Sequence, residues 1–150
     1  MSILFNKPVE HAIKALIYLA VCENHRLVTC EEISEVEQIS SNHLSKILKV
    51  LTQKKVLRSF RGPHGGFMLS RDPCEITLWD LLNFLGGQER FTECAIGWTE
   101  CNDEAPCPLH EVWASLRGRN KQYLESTTIS DLAVAAIEKQ REKYPQFYAI

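Results

Sequence analysis

No stretch of this chain approaches the ~20 consecutive apolar residues that a membrane-spanning helix needs. Its opening Met-Ser-Ile-Leu-Phe-Asn-Lys-Pro lacks the basic, long apolar and small-residue regions of a secretory signal. The expected location is therefore the cytoplasm, with no membrane partner. There is no C-x-x-C redox pair, no internal repeat and no low-complexity run, which argues against a dithiol oxidoreductase and against a repeat array. Neither paired carboxylates nor a nucleophile with its base can be assigned, so the expectation is a non-enzyme. Acid is locally missing as well. Between Gln38 and Arg71 there is no Asp or Glu, while Lys46, Lys49, Lys54, Lys55, Arg58 and Arg61 all fall in that window.

The 150 residues, 45% hydrophobic and 24% charged, suit one compact domain or a small domain carrying a dimerisation extension. A net charge of -2 hides an uneven distribution. Residues 1–71 carry ten Lys/Arg against six Asp/Glu, and residues 72–150 carry seven against thirteen. A first half at +4 and a second at -6 is the asymmetry of a phosphate-facing surface, with a solvated basic face as the plain alternative.

Apolar residues at Ile13, Leu16, Ile17 and Ala20, widened by Ala12, Ala15 and Leu19, predict a largely buried helix over residues 9–22, its start marked by Pro8. Thr29-Cys-Glu-Glu32 reads as a capping box opening a short helix to about Val36. A turn at residues 37–40 leads to a second capped helix. In that helix Leu44, Ile47, Leu48 and Leu51 form one core stripe and Asn42, His43, Ser45, Lys46 and Lys49 occupy the rest of the surface. Two short helices joined by a tight turn, the second polar at its start and basic further along, fit a helix-turn-helix that enters the major groove. An ordinary helical hairpin is the alternative. Residues 56–61 and 67–69 then read as strands flanking Gly62-Pro-His-Gly-Gly66, a wing that presents Arg58, Arg61 and His64. The fold class expected is mainly α with a small β wing: a winged helix-turn-helix over residues 1–75, followed by a cysteine loop and dimerisation helices over residues 76–150.

In the second half, residues 76–87 predict a helix capped by Thr77 and Asp80, ended by two glycines and packed beneath the wing. Pro108 opens a long helix on which Leu109, Val112, Trp113 and Leu116 form a stripe that Tyr123 and Leu124 continue; such a face suits an isologous dimer. Thr128-Ile-Ser-Asp131 caps a last helix that Pro145 stops, with a solvated tail over residues 138–143. Of the six cysteines, Cys22, Cys30 and Cys74 read as buried small hydrophobes. Cys94, Cys101 and Cys107, spaced C-x6-C-x5-C with His110 three residues beyond, lie in a loop without apolar periodicity. Three chemistries are open to them: a zinc site completed by His110, an iron-sulfur cluster, which suits wider spacing and soft thiolates, or metal-free thiols.

Arg61-Gly-Pro-His-Gly-Gly-Phe-Met-Leu69 resembles the RG-x-x-GG-[FY]-x-L wing of the Rrf2 (BadM-type) superfamily of bacterial transcription regulators. Residues 10–20 are similar to that family's opening helix and residues 39–48 to its recognition helix, so the likeness spans nearly the whole chain. The resemblance implies a homodimer on a near-palindromic DNA operator. It also implies that Cys94, Cys101 and Cys107 match the cluster ligands of the IscR-like and NsrR-like branches, although those branches typically have five residues in the first gap and this chain has six. His110 matches the histidine that completes a 2Fe-2S site in the first branch. Glu10 matches the acidic residue that the partner subunit contributes to a 4Fe-4S site in the second, and Glu10 is the favoured expectation. The functional expectation is an iron-sulfur-dependent repressor in which Asn42, His43 and Ser45 contact bases while Lys46, Lys49, Arg58, Arg61 and His64 serve the phosphates and groove. The competing expectation is a cluster-free or zinc-stabilised homodimeric interaction module, or a thiol-based regulator.

Overall fold

A computed structural model describes residues 2–22, 26–99, 101–140 and 142–143. Among them the chain forms six α-helices and one pair of strands: α1 (Lys7–Val21), α2 (Cys30–Glu37), α3 (Ser41–Gln53), β1 (Leu57–Phe60), β2 (Gly66–Leu69), α4 (Leu78–Leu85), α5 (His110–Ser126) and α6 (Ile129–Lys139). Short 3-10 turns at Pro73–Glu75 and Gln88–Phe91 flank α4.

Helix α1 begins two residues earlier than the apolar pattern predicts because Asn6 caps it, its side-chain oxygen accepting from the Val9 amide at 3.0 Å. The same side chain donates to the Gly86 carbonyl at 2.9 Å, so one residue fixes the start of α1 against the end of α4. At α2 the expected capping box is only half formed. Thr29 Oγ1 accepts from the Glu32 amide at 3.2 Å, but the Glu32 carboxylate accepts from the Tyr18 hydroxyl at 2.6 Å and pairs with Arg26 at 2.5 and 3.0 Å. A guanidinium and a phenol offer more than one exposed amide. Beyond α2, Gln38 takes the left-handed conformation (φ 57). Ser34 Oγ donates to the Ile39 carbonyl and accepts from Ser41 Oγ, knitting the turn from within. This replaces the cap expected at α3, where Ser40 makes no side-chain capping bond.

Leu44, Ile47, Leu48 and Leu51 of α3 are all buried, as their spacing predicts. They meet Leu16 of α1, Ile33 of α2, Leu57 of β1, Leu81 and Leu82 of α4 and Ile129 of α6 in one core. The strands pair antiparallel, with Leu57 opposite Leu69 and Phe60 opposite Gly66. Val28 adds a third edge, exchanging backbone hydrogen bonds with Phe67 at 3.0 and 2.8 Å. That contact explains Gly66, and the tight wing turn explains Gly65. A Cβ on Gly66 (φ +155) would lie 2.8 Å from the Val28 carbonyl oxygen, and one on Gly65 would lie 2.1 Å from that of Phe60.

Helix α4 carries the full reciprocal cap between Thr77 and Asp80. It packs chiefly on α1, α3 and α5, so the expected place beneath the wing is corrected: the strands are not among its main neighbours. Helix α6 opens on an equivalent box between Thr128 and Asp131 and lies along α1. Backbone bonds from Leu78 to Thr127 (3.0 Å) and from Ile129 to Ile76 (2.9 Å) clip the starts of α4 and α6 together. The tail is more than solvated surface, since Lys143 pairs with Glu37, whose side chain is 1% exposed; Pro145 lies outside the described residues. Cys22 and Cys30 pack partly buried against the core, and burial pushes both thiols above the usual range. Cys74, by contrast, is exposed, because it sits in the turn after Asp72, whose carboxylate accepts its amide at 2.8 Å.

Candidate functional site

Two surfaces carry the residues singled out by the sequence. On the first, Asn42, Ser45, Lys46 and Lys49 of α3 are exposed, and the wing presents Arg58, Arg61 and His64. The four leucine and isoleucine positions of α3 bury one side of the helix, which leaves its polar side facing out. Ser45 Oγ donates to the Asn42 carbonyl at 3.1 Å. His43 differs from its neighbours. It is half-buried, and its ring meets that of His11 edge to face, with centroids 5.0 Å apart. Burial, then the His43 and Lys14 charges, keep His11 below the ordinary histidine range, and among the described residues its buried Nδ1 has no hydrogen-bond partner. Lys54 also has a packing role, with its ammonium 5.7 Å from the Phe84 ring centroid on α4.

The second surface is the loop between the Gln88–Phe91 turn and α5. Helix α5 anchors its start. Trp113 Nε1 donates to the Glu93 carbonyl at 2.8 Å, and Arg117 Nη1 donates to the carbonyls of Thr92 and Glu93 at 3.0 and 3.1 Å. The Cys94 thiol follows directly. The amide of Ile96 holds it below the usual thiol range against partial desolvation, with help from the Trp98 amide, the Cys101 side chain and the Gly97 amide. Cys101 lines one pocket with Cys94, Gly97 and Trp98, and its Sγ is 3.2 Å from His110 Nδ1. His110, 8% exposed, turns its other nitrogen to Asp103 at 2.9 Å. Its amide donates to the Cys107 carbonyl at 2.9 Å, so the first turn of α5 ties the third cysteine to the histidine.

The structure thus brings Cys101 and His110 into contact, with Cys94 in the same pocket as Cys101 and Cys107 alongside through its backbone; all three thiols are half-buried. Among the described residues no three donors converge as a ready-made metal cage. Glu10 stands elsewhere, on α1, where Lys7 (3.3 Å) and Lys14 (3.6 Å) pair with it. Burial works against its ionisation, but the Lys7 hydrogen bond and the two lysine charges prevail and keep its carboxyl below the usual range. Sequence reasoning missed Asp103, the amides around Cys94, and the Trp113 and Arg117 anchors. The Asp103 partnership had no local signal, since nothing in C-x6-C-x5-C marks an acid between two cysteines as the partner of a later histidine.

Along α5 the expected apolar stripe is present but uncovered. Leu109, Val112, Leu116 and Tyr123 are 51, 63, 47 and 75% exposed, and only His110 and Leu124 of this helix are buried. Among the described residues no helix is long and apolar enough to cross a membrane.

Helix-turn-helix, wing and trailing helix together define a winged-helix transcription regulator. The chain belongs to the Rrf2 family, described as iron-dependent transcriptional regulators, which it matches over residues 5–135. It is 35% identical over 131 residues to a protein of Aquifex aeolicus (strain VF5) named as an HTH-type transcriptional regulator, covering 86% of this chain and 90% of that one. Among solved structures it is similar to CymR, the global cysteine regulator of B. subtilis, with TM-score 0.73 and 24% identity over 89% of this chain and 98% of that one. IscR of T. potens gives TM-score 0.69 and 23% identity, covering 91% and 90%. At these identities the two structures attest the fold.

Proposed function

We propose that this protein is a dimeric, cytoplasmic, iron-sulfur-dependent repressor. Residues 1–75 read an operator, and residues 76–150 hold the cluster and the partner subunit. The observation that carries this reading is the Cys101–His110 contact at the root of α5, with Cys94 in the same pocket; α5 is the helix whose exposed stripe requires a partner surface. A change in the loop is then felt where the two subunits meet, and through their separation by the two winged helices.

The donor set fits such a group. Three half-buried thiols are soft ligands, and the amides beside Cys94 hold its thiol below the usual range, toward the deprotonated form that a metal needs. A ligating histidine normally gives its second nitrogen to a carboxylate, and His110 does so with Asp103. Within one chain His110 is therefore the fourth ligand that the contacts favour; Glu10 serves instead only if the partner brings it. A bound cluster supplies a tie among the thiolates that oxidation or loss of iron removes. The chain's own residues do the rest: Trp113 and Arg117 hold the loop to α5, and the exposed polar side of α3 and the wing arginines meet DNA. Asn42 and Ser45 face base edges, His43 only by the ring edge that His11 leaves free, and Lys46, Lys49, Arg58, Arg61 and His64 serve phosphates and groove.

Anaerobic purification followed by iron, sulfide and zinc analysis with visible absorption tests the reading. Iron with matching sulfide, both lost in Cys101→Ala, is expected. His110→Ala shifts the absorption spectrum while Glu10→Ala leaves it in place. Zinc without sulfide, or no metal, overturns the cluster assignment and leaves a winged-helix regulator whose signal enters elsewhere.

A further inference from the structure

Arg71 ends the acid-free basic run of the sequence and lines a cavity of about 530 Å³ between the last turn of α1 and the root of the wing. Volumes of this size hold small organic molecules. Leu19 and Ala20 line it from α1, and Met68, Leu69 and Pro73 from the wing root, so its walls are largely apolar. Two of its charged groups are already committed. Arg26 gives hydrogen bonds to Glu32 at 2.5 and 3.0 Å, and its Nη2 lies 3.6 Å from Cys22 Sγ. The Asp72 carboxylate accepts from the Cys74 amide at 2.8 Å. Arg71 is the exception. It is half-buried, no acid pairs with it among the described residues, and its one hydrogen bond there is a long contact from Nη2 to the Lys54 carbonyl, 3.5 Å. A guanidinium carries five N–H donors in a planar fork, so most of those of Arg71 have no protein acceptor.

We propose that this cavity is a binding site for a small organic carboxylate with an apolar body. The fork of Arg71 takes the two carboxylate oxygens side by side, and the body lies along Leu19, Ala20, Met68 and Leu69. The charge balance selects a carboxylate over a phosphate. With Arg26 neutralised by Glu32 and Asp72 lining the same cavity, one free cation meets the ligand, which suits a single negative charge better than two. The apolar walls favour a body that a bare inorganic anion lacks. An occupant touches both α1 and the wing root and so fastens one to the other. The site shares no residue with the cysteine loop or with the DNA-facing set, so it stands or falls independently of the cluster and the operator.

The test is calorimetric titration of the full-length protein at fixed salt with 4-phenylbutyrate and octanoate, each beside its matched alcohol, and with inorganic phosphate. Saturable binding of at least one acid, in the low-millimolar range or tighter, is expected. That acid should bind ~10-fold or more tightly than its alcohol, the difference a charged hydrogen-bonded pair makes. Arg71→Gln, checked for folding by circular dichroism, should bring the acid down to the level of the alcohol. Ala20→Phe fills the space between the walls and should weaken acid and alcohol alike. Methyl resonances of Leu19, Met68 and Leu69 in the parent protein should move during the titration, which locates the ligand even if Ala20→Phe does not fold. No binding of either acid, equal binding of acid and alcohol, acid binding that survives Arg71→Gln, or phosphate bound as tightly as the acids overturns the proposal.

Discussion

The two halves of the chain differ in how completely they are folded by their own residues. In the first, the apolar stripe of α3 is buried to the last residue, and α1 contributes eight buried residues to the same core. In the second, α5 runs for 17 residues and buries two, while its largest apolar side chains stay in contact with solvent. The surface proposed to read DNA is thus finished within one chain, and the one proposed to sense is not. On the proposed function that division has a use: the DNA-facing half keeps its shape whatever the signal, whereas the half that responds has a contact that can be made in more than one way.

Breaking the finished half should be the more damaging. Leu48→Ala, at a fully buried position, is expected to destabilise folding by about 2–5 kcal/mol, read from chemical denaturation. A loss below ~1 kcal/mol would mean that the α3 core is looser than its burial states. The matching change in the unfinished half, Leu116→Asp, should leave folding of the subunit nearly intact. It should raise the dimer dissociation constant about 100-fold or more, since each buried stripe residue contributes about 1.5–3 kcal/mol and a twofold interface loses it twice. Sedimentation velocity across a dilution series checks this, and an unchanged dimer would place the interface elsewhere.

Arg61→Ala sharpens the comparison from the DNA side. The arginine is exposed on the wing, so stability should hold while operator affinity falls by about 1–3 kcal/mol if the side chain reads a base. Unchanged affinity at fixed salt would remove it from the interface. The smallest effect belongs to Glu32. Its carboxyl is held below the usual range by the Arg26 hydrogen bond, with burial opposing and the Tyr18 hydroxyl and the Arg26 charge adding to the effect. A depressed carboxyl contributes stability that is present above its unfolded pKa near 4.5 and is lost as pH falls through the lower folded value. Glu32→Gln should therefore flatten the acid limb of the stability profile below about pH 4.5 and change little below the folded value. An acid limb identical to the parent's would show that the pair is already dissolved in solvent.

The same contrast explains what the sequence disclosed. Local rules with a fixed spacing were readable: the reciprocal caps at Thr77 with Asp80 and at Thr128 with Asp131, the α3 stripe, and the wing from its glycines and alternating strands. Rules that depend on a distant competitor were not. Thr29 and Glu32 have the capping-box spacing, yet Glu32 turns to Tyr18 and Arg26 because those donors arrive from α1 and the segment after it. Val28 was invisible as a third wing edge because a single bridging residue has no periodicity. At the candidate metal site the cysteines and His110 were legible by residue type and spacing, but the Asp103 contact and the pairing of Glu10 with both Lys7 and Lys14 are facts of three-dimensional arrangement. The stripe on α5 was legible as apolar and as suited to a partner; how far the described residues leave it exposed is a fact of the arrangement.

The central claim is that the loop of the unfinished half controls the reading surface of the finished one. Its most direct test is operator affinity measured anaerobically at one salt concentration, with cluster-loaded and cluster-free protein side by side on the same DNA. A coupling of ~1–3 kcal/mol predicts affinities that differ about 5- to 150-fold. Equal affinities in the two states would contradict the account.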